Sequence, residues 1–510
     1  MNILFYHTSP LLAHHFGVLM DEAEIFSRKG HIVNFAICDG AIDICFSNPR
    51  KDPSICKICK LMTNKALKNL SKKVNIIKLS KYKSAEKYSF NYNSVDEIKQ
   101  IKYKKCNIGY AVLSAYITMT RNGSPKINDE FKCYFDKTLA ESCKLTDILD
   151  SLYTEINPDL ACLFNGRFYE QKPFYDLAIQ KNINVRSYEV IGGYGEPYYK
   201  VFYDNITPHN ILGNIQKVEN LWNSSELDNA KKENIGKTFF ENRRNGIPAC
   251  DVVYTNKQVS GCLPKGWDNS KRNIVIFNSS EDEYASIGDE YEKLSFYKTQ
   301  IEGIKSVLEL TKDNKDIHFY LRIHPNLSNI KYRYHTDLLS LDKQYENVTI
   351  IPGHDKTSSY DLMDKAEKII VFGSTMGLEA AYWNKPVILL SGAFYYHTNL
   401  CYKPHNKEEL YSLITSSLLP LDNKEAIKFG FYYMFRNPSD TYKYIDYNWQ
   451  EFKIFNKKFI DIHYLKLLGS SKLYALYISI LRKLTTSSQN NSLLSIPMKE
   501  ELNTGVFHNS

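Results

Sequence analysis

Short apolar runs alternate with amphipathic stretches along most of the chain. Residues 2–6 and 31–37 are apolar, and between them residues 16–29 space their apolar positions as a helix does and end at Gly30. Two apolar runs joined by a helix predict neighbouring parallel strands. The same order returns after residue 140, so the first half predicts one doubly wound domain with a polar insertion at residues 80–135.

A second series of strands and helices follows a break in the pattern. Residues 246–272 are rich in Asn, Gly, Pro and Lys, which is typical of a connection between domains. Beyond it, apolar runs that begin near residue 273 and recur to residue 390 alternate with helical patterns. The chain therefore predicts an α/β fold of two doubly wound, Rossmann-like domains, whose strands direct their carboxyl ends into a shared cleft.

The predicted boundaries are residues 1–255 for the first domain and 256–460 for the second, followed by a tail at 461–510. The first part of the tail is a basic amphipathic stretch, which either lies on a membrane surface or packs on the body of the protein. From about residue 485 it is polar and rich in Ser and Asn, which predicts disorder.

Composition narrows the class of protein. Hydrophobic residues make up 43% and charged residues 24% of 510, as in a folded globular chain. The net charge of +8 is spread out, so it predicts no nucleic-acid partner but suits anionic substrates. The chain shows no signal-peptide pattern and no apolar run long enough to span a bilayer. We therefore expect a cytoplasmic location, with peripheral contact to the inner membrane as the further expectation.

Four of the 11 cysteines cluster after the second predicted strand. Cys38, Cys45, Cys56 and Cys59 are spaced C-x6-C-x10-C-x2-C, which differs from the standard zinc fingers. Two interpretations stay open, a structural zinc site and buried free thiols. Redox chemistry ranks below both, because the pattern predicts no helix directly after the cluster to lower a thiol pKa.

The strongest chemical pattern lies in the second domain, at the ends of two strands. One strand ends in Arg322 and His324, whose side chains are donors for a phosphate. Another strand ends in a turn that is followed by a helix, and the backbone N–H groups and hydroxyls of such a turn favour binding of an anion. A carboxylate one turn further along the helix can accept hydrogen bonds from sugar hydroxyls. The turn and helix supply Gly373, Ser374, Thr375 and Glu379.

An acidic loop follows the first strand of the second domain. Ser279 and Ser280 precede Asp282 and Glu283, so the loop is expected to project into the cleft. A carboxylate there can act as a base or stabilise positive charge at a reacting carbon, and Asp282 is the preferred candidate. The alternative is a solvated loop in which Ser280 caps a helix.

In the first domain, Asn165 and Arg167 follow one strand, and Glu189 ends the next. Arg167 can bind a carboxylate or phosphate bidentately, and Glu189 is a candidate general acid or base. The alternative for Glu189 is an ion pair with a nearby arginine. His15, with His14, precedes the first helix and is a further candidate base near neutral pH.

These motifs resemble those of bacterial capsule and lipopolysaccharide biosynthesis glycosyltransferases of the GT-B fold. The resemblance rests on R-I-H-P-N at 322–326, F-N-S-S-E-D-E-Y at 277–284, and F-G-S-T-M-G-L-E-A-A-Y-W-N-K-P-V-I at 372–388, with P-D-L-A-C-L-F-N-G-R at 158–167 in the first half. It implies a nucleotide-sugar donor held by the second domain, with a CMP-activated acidic sugar as one candidate, and a glycan or lipid-linked glycan acceptor facing the first. We expect no divalent metal to be needed for catalysis.

Other functions fit the same motifs. A CDP-polyol phosphotransferase would use the same phosphate-binding turn, and a nucleotide-sugar 2-epimerase would work without an acceptor. The non-enzymatic alternative is a catalytically inactive subunit that binds glycan during assembly. The sugar, the linkage and the stereochemical outcome stay open.

Overall fold

The fold is given by a computed structural model, which describes residues 1–84, 87–191, 199–247, 254–284, 286–328, 330–436, 443–445, 451–454, 457–461, 494 and 496–497. The first sheet has the order β3-β2-β1-β4-β5-β6, with five parallel strands and an antiparallel edge strand, β6. Its strands are β1 (Asn2–His7), β2 (Ile32–Ile37), β3 (Val74–Lys78), β4 (Leu160–Phe164), β5 (Asn184–Ile191) and β6 (Tyr199–Asp204).

The second sheet is parallel throughout, with the order β11-β10-β7-β8-β9. Its strands are β7 (Arg272–Phe277), β8 (Ile317–Arg322), β9 (Val348–Ile351), β10 (Lys368–Val371) and β11 (Val387–Leu389). A separate antiparallel pair joins β12 (Glu451–Ile454) to β13 (Lys457–Asp461). The predicted class, α/β with two Rossmann-like units, is confirmed by these two sheets.

Helices connect the strands and cover both sheets. In chain order, those around the first sheet are α1 (Ala13–Arg28), α2 (Pro53–Leu67), α3 (Val95–Lys99), α4 (Ile108–Thr120), α5 (Asp129–Ile156) and α6 (Lys172–Gln180). The helices that follow are α7 (Ile211–Ser224), α8 (Asn229–Arg244), α9 (Glu281–Tyr284), α10 (Asp289–Lys293), α11 (Gln300–Leu310), α12 (Arg333–Thr336), α13 (Ser359–Lys365), α14 (Met376–Tyr382), α15 (Lys407–Thr415) and α16 (Lys424–Phe435).

The central strands are apolar because helices cover both faces of each sheet. In β1, the residues from Ile3 to Tyr6 are fully buried, and in β7 those from Ile274 to Ile276 are equally buried. In each sheet the strand order reverses beside the central strand, between β1 and β4 and between β7 and β10. Connections leave the sheet in opposite directions at such a point, so a crevice opens at the carboxyl ends of these strands.

Helices α7 and α8, which the sequence boundary at residue 255 assigns to the first domain, pack in the second. Phe239 and Phe240 of α8 share a core with β7, β10 and α16. The Phe239 ring stacks on Tyr433 at 5.1 Å, and the Phe240 ring stacks on Tyr382 at 4.1 Å. The apolar face of α8 thus joins the second unit before the connecting segment is reached.

Two further segments differ from their expected character. The polar insertion contains α4, in which Val112, Leu113 and Ala115 are fully buried. Part of the tail expected to be disordered packs on the first unit, since the Tyr116 hydroxyl donates to the Pro497 carbonyl at 2.7 Å and Leu494 packs against the first core. The amphipathic stretch at 462–484 lies outside the described residues. Within the described ranges, no helix is both long enough and apolar enough to cross a bilayer.

Candidate functional site

A pocket opens at the crevice of the second sheet. Its wall is formed by the carboxyl ends of β7, β8 and β10, the first residues of α13 and α14, and Arg243 from α8, and it encloses about 540 Å³ of empty space, part of it open to solvent. Five of the predicted binding residues line it: Arg322, His324, Ser374, Thr375 and Glu379. The structure thus brings together residues that lie up to 57 positions apart in the chain.

Arg322 supplies a buried positive charge to the pocket. Its Nη1 and Nη2 atoms donate to the Pro352 and Asp355 carbonyls at 2.5 and 3.0 Å, whereas Nε has no hydrogen-bond partner among the described residues. Burial lowers the pKa of Arg322, with the Asp355 charge acting in the opposite direction. A buried guanidinium that is held by carbonyls and lacks an ion pair favours an anionic ligand.

A hydrogen bond joins the end of β7 to the end of β8 beside the Arg322 guanidinium. The Asn278 side chain accepts from the His324 backbone N–H at 2.8 Å, and His324 Nδ1 accepts from the Asn326 N–H at 3.2 Å. When Nδ1 accepts, a neutral imidazole carries its proton on Nε2, which makes that atom a donor. Ser279 is engaged within the protein, since its hydroxyl donates to the Phe372 carbonyl at 2.7 Å.

The turn after β10 brings backbone close to the pocket. Gly373 has φ of 74°, and a side chain there would meet the Gly392 carbonyl at 2.8 Å, so glycine is required on both counts. Ser374 Oγ accepts from the Met376 N–H at 3.3 Å, and Thr375 precedes α14 without a side-chain capping bond. Because α14 spans only seven residues, an anion in this pocket would depend more on these hydroxyls and Arg322 than on the helix dipole.

Glu379 is held by two residues that the sequence analysis missed. Arg243 Nε donates to one carboxylate oxygen at 3.1 Å, and the Tyr360 hydroxyl donates to the other. Burial raises the pKa of Tyr360, and the neighbouring Glu379 charge raises it further. Arg243 lies 136 positions from Glu379, in a segment whose pattern suggested no site, so no sequence signal marked it.

A second group of polar side chains lies at the carboxyl ends of β4 and β5 in the first unit. Asn165 has φ of 55°, and its Nδ2 donates to the Glu189 carboxylate while its Oδ1 accepts from the Arg167 N–H at 3.0 Å. Burial raises the pKa of Glu189 to about 7, against the opposing effects of the Asn165 hydrogen bond and the Arg167 charge. A carboxyl that titrates near neutral pH suits proton exchange.

His209 joins this group, and the sequence analysis missed it as well. It precedes Asn210, which caps α7 by accepting from the Gly213 N–H at 2.6 Å. His209 Nε2 lies 3.4 Å from Asn165 Nδ2. Desolvation, followed by the Arg167 charge, lowers the pKa of His209 to about 3. The ring is therefore neutral throughout the physiological range.

Contacts between the units bring the two groups of residues into proximity. Arg167 Nη1 donates to the Glu283 carbonyl at 3.4 Å, and the Glu283 carboxylate accepts from Asn326 Nδ2 at 2.6 Å, two residues beyond His324. From the end of α4, Arg121 donates to the Ser280 hydroxyl at 2.8 Å. Residues of the first unit thus reach the acidic segment after β7, which was predicted as a loop and forms the one-turn helix α9.

Two of the sequence candidates are not placed as predicted. Asp282 lies in α9, but its side chain is outside what the structure describes, as are residues 192–198 after Glu189. His15, with His14, lies in the first turn of α1 and not before it as predicted. Its ring stacks on Phe164 at 3.8 Å, at the end of β4. That contact places His15 at the same sheet edge as Asn165.

The four cysteines line one small cavity beside β1 and α2. Burial raises the pKa of all four thiols, that of Cys59 to about 12, and the charge of buried Glu170 adds to the effect at Cys45. The sequence predicted no helix beside the cluster, but Cys56 and Cys59 lie within α2. The raised pKa values nevertheless keep the thiols protonated. Within the described ranges, no group of three or more His, Cys, Asp or Glu is placed to hold a metal ion. The zinc interpretation therefore stays a prediction without geometric support.

The chain is similar to several solved structures at low identity. KpsC from Thermosulfurimonas dismutans, a beta Kdo 2,4 transferase, is 15% identical, with coverage of 53% of this chain and 78% of that chain and a TM-score of 0.35. A UDP-GlcNAc 2-epimerase from Neisseria meningitidis, solved with UDP-GlcNAc, is 14% identical, with coverage of 86% and 100% and a TM-score of 0.24. TM-scores this low carry no argument about function. No curated protein matches this sequence.

A family model does match the unit that contains the pocket. Residues 270–411 match the model described as capsule polysaccharide biosynthesis protein. The matched segment runs from β7 to α15 and includes Arg322, His324 and the Ser374–Thr375 turn. The unit that contains the pocket is therefore similar to the matching part of capsule polysaccharide biosynthesis proteins, which is the resemblance that the sequence motifs predicted.

Proposed function

We propose that the protein is a glycosyltransferase that moves a sugar from a nucleotide-sugar donor to a growing capsule or lipopolysaccharide glycan. The observation that carries the proposal is the pocket at the β7/β10 crossover, where the buried Arg322 guanidinium, His324 and the Ser374–Thr375 hydroxyls converge. This set of donors suits the phosphates of a nucleotide. The family match of the same residues supports a role in capsule synthesis.

The proposed chemistry divides between the two units. The acceptor oxygen attacks the anomeric carbon of the donor while the bond from that carbon to the phosphate oxygen breaks, and the nucleotide leaves with the negative charge. The acceptor proton moves to Glu189, whose pKa of about 7 leaves it partly ionised at neutral pH. Asp282 on the donor side is the proposed group that stabilises the developing positive charge. If Asp282 instead captures the anomeric carbon as the nucleotide leaves, the acceptor oxygen attacks that carbon in a second step and the bond to the Asp282 carboxylate breaks.

A donor that carries a carboxylate, such as a CMP-activated acidic sugar, is the finer proposal. Arg167 supports it, because its guanidinium borders the acidic loop, Nε has no partner among the described residues, and desolvation lowers its pKa. A carboxylate could pair with this charge. We propose a glycan or lipid-linked glycan as acceptor.

A thermal-shift screen tests the donor pocket. CMP, CDP, UDP and GDP are added to the full chain, and a nucleotide present at 100 times its Kd should stabilise the fold by about 2.7 kcal/mol. Thr375→Val should reduce the shift, whereas Thr415→Val, the same change in α15 outside the pocket, should not. Stabilisation by none of the four nucleotides would remove the nucleotide assignment.

Donor assays separate the alternatives. Release of nucleotide from a nucleotide sugar only when a glycan acceptor is present supports transfer. Turnover of CDP-glycerol instead would indicate a polyol phosphotransferase, and epimerisation without an acceptor would indicate an epimerase. Glycan binding without turnover of any donor would indicate an assembly subunit.

A further inference from the structure

The side-chain amide of Asn165 is held in a single orientation by three neighbours. Its Oδ1 accepts from the Arg167 N–H at 3.0 Å, which fixes the nitrogen on the other side. That nitrogen donates to the Glu189 carboxylate and lies 3.4 Å from His209 Nε2. Since a primary amide carries two N–H groups, one is available for each partner.

His209 can hold the amide only as an acceptor. With a pKa of about 3 the ring is neutral, so Nε2 can keep a lone pair and the proton can reside on Nδ1. An imidazolium there would present a donor to a donor. The neutral ring, the amide and the carboxylate form a chain in which each group has a compatible partner.

We propose that His209 is a positioning residue: by accepting from Asn165, it keeps the amide turned toward Glu189 and so sets the pH at which Glu189 loses its proton. The effect on the ionisation of Glu189 depends only on the contacts. Its consequence for turnover rests on the proposed function.

Other charges near Glu189 do not titrate in the same range. Among the described residues, the charge of Arg167, after β4, acts on Glu189, and the charge of Glu189 in turn acts on Tyr203, on β6. Burial raises the pKa of Tyr203, so it stays neutral, and Arg167 stays charged near neutral pH. A change in the Glu189 titration on removing His209 therefore reports the hydrogen-bond chain.

The expected change has a definite sign. Without the His209 acceptor, the Arg167 N–H is the other contact that still orients the Asn165 amide. The amide is then held less firmly toward Glu189, and the ionised carboxylate loses stabilisation from this donor. Losing a hydrogen bond to a charged group typically changes the ionisation equilibrium of that group by about tenfold. The midpoint of the Glu189 titration should therefore move to a pH about one unit higher.

The protonated-carboxyl band in infrared spectra of the full chain measures this midpoint, with the Glu189→Gln spectrum subtracted for assignment. His209→Phe removes the acceptor, whereas His209→Gln keeps an acceptor oxygen. Asn165→Gly removes the amide at a positive φ that glycine tolerates. The matched control is His335→Phe, at a histidine of α12 in the second unit whose burial also lowers its pKa.

His209→Phe and Asn165→Gly should both raise the midpoint, and His209→Gln and His335→Phe should leave it in place. An unchanged midpoint in His209→Phe would overturn the proposal, as would an equal rise in His209→Gln. If His209→Phe does not fold, an unchanged midpoint in Asn165→Gly, or a rise in His209→Gln, overturns it.

The pH dependence of kcat/KM for sugar transfer provides the second readout. Its acidic limb should move with the infrared midpoint in each variant. If the midpoint moves as expected but no variant, wild type included, transfers sugar, the proposed function fails while the positioning role stands. If the wild type transfers sugar and the midpoint does not move, only the positioning role fails.

Discussion

Replacing Arg243 with methionine tests whether the ion pair with Glu379 holds the donor pocket together. The two side chains are 11% and 3% exposed, and Arg243 Nε lies 3.1 Å from the carboxylate. Removing the cation leaves a buried carboxylate whose remaining side-chain partner, within the described part of the chain, is the Tyr360 hydroxyl. The structure provides a matched control in Lys293→Met, because the Lys293–Asp289 pair has side chains 74% and 65% exposed.

The difference in burial gives the magnitude. Breaking a buried pair by removing one partner costs about 3–5 kcal/mol, whereas an exposed pair contributes about 0.2–1 kcal/mol. We therefore expect Arg243→Met to lower the free energy of unfolding by about 3 kcal/mol, and Lys293→Met to lower it by much less. Arg243→Met combined with Glu379→Gln should recover part of the loss, since no unpaired charge remains.

Urea unfolding of the full chain, with the nucleotide thermal shift measured on the same samples, checks the prediction. Arg243→Met should also weaken nucleotide stabilisation, because Arg243 lines the pocket and binds Glu379, which lines it as well. A loss in Arg243→Met no larger than that in Lys293→Met would refute the reasoning. The reasoning would also be refuted if adding Glu379→Gln to Arg243→Met lowered the free energy of unfolding further, by as much as Glu379→Gln does on its own.

Four further outcomes are expected. Glu189→Gln should lower turnover by about 100-fold or more and leave nucleotide binding intact. Wild-type activity should fall below pH 7, because the Glu189 carboxyl, with a pKa of about 7, then binds its proton; steady-state kinetics across pH measures both effects. His324→Ala and Thr375→Val should each weaken donor binding by about 1–3 kcal/mol in calorimetric titrations. If the cysteine cavity holds zinc, metal analysis should return about one equivalent, and Cys59→Ser should destabilise the first unit; metal-free, active protein would leave buried thiols. Burial raises the pKa of Glu170 to about 7 in the folded protein. Its contribution to the free energy of unfolding is therefore fully present below the pKa of the unfolded chain and is lost as the pH rises to 7. Glu170→Gln removes this titration, so the free energy of unfolding should decrease less over the same pH range in urea titrations.

The order of strands and helices could be predicted from the sequence because it follows from local periodicity. A strand covered on both faces must be apolar throughout, as residues Ile3 to Tyr6 are, and a helix between two such runs imposes parallel pairing. Polar residues directly after these strands then lie at one edge of the sheet. Arg322, His324 and Thr375 were identified in this way, and they line one pocket.

Partners drawn from outside this repeat could not be predicted. Arg243 reaches Glu379 only because the aromatic face of α8 packs on the second sheet, and His209 reaches Asn165 only because β6 pairs antiparallel with β5 and leads into α7. No local pattern encodes these contacts, which join residues 44 to 136 positions apart.

The sequence by itself determined the parallel strands of the two sheets and the residues at their carboxyl ends, since both depend on hydrophobic periodicity within single elements. The tertiary structure decided which of those residues are already bound within the protein, as Ser279 and Glu379 are, and which carboxyl titrates near neutral pH. Burial and hydrogen-bond partners set the charge state of Glu189, and both arise only when distant segments pack together.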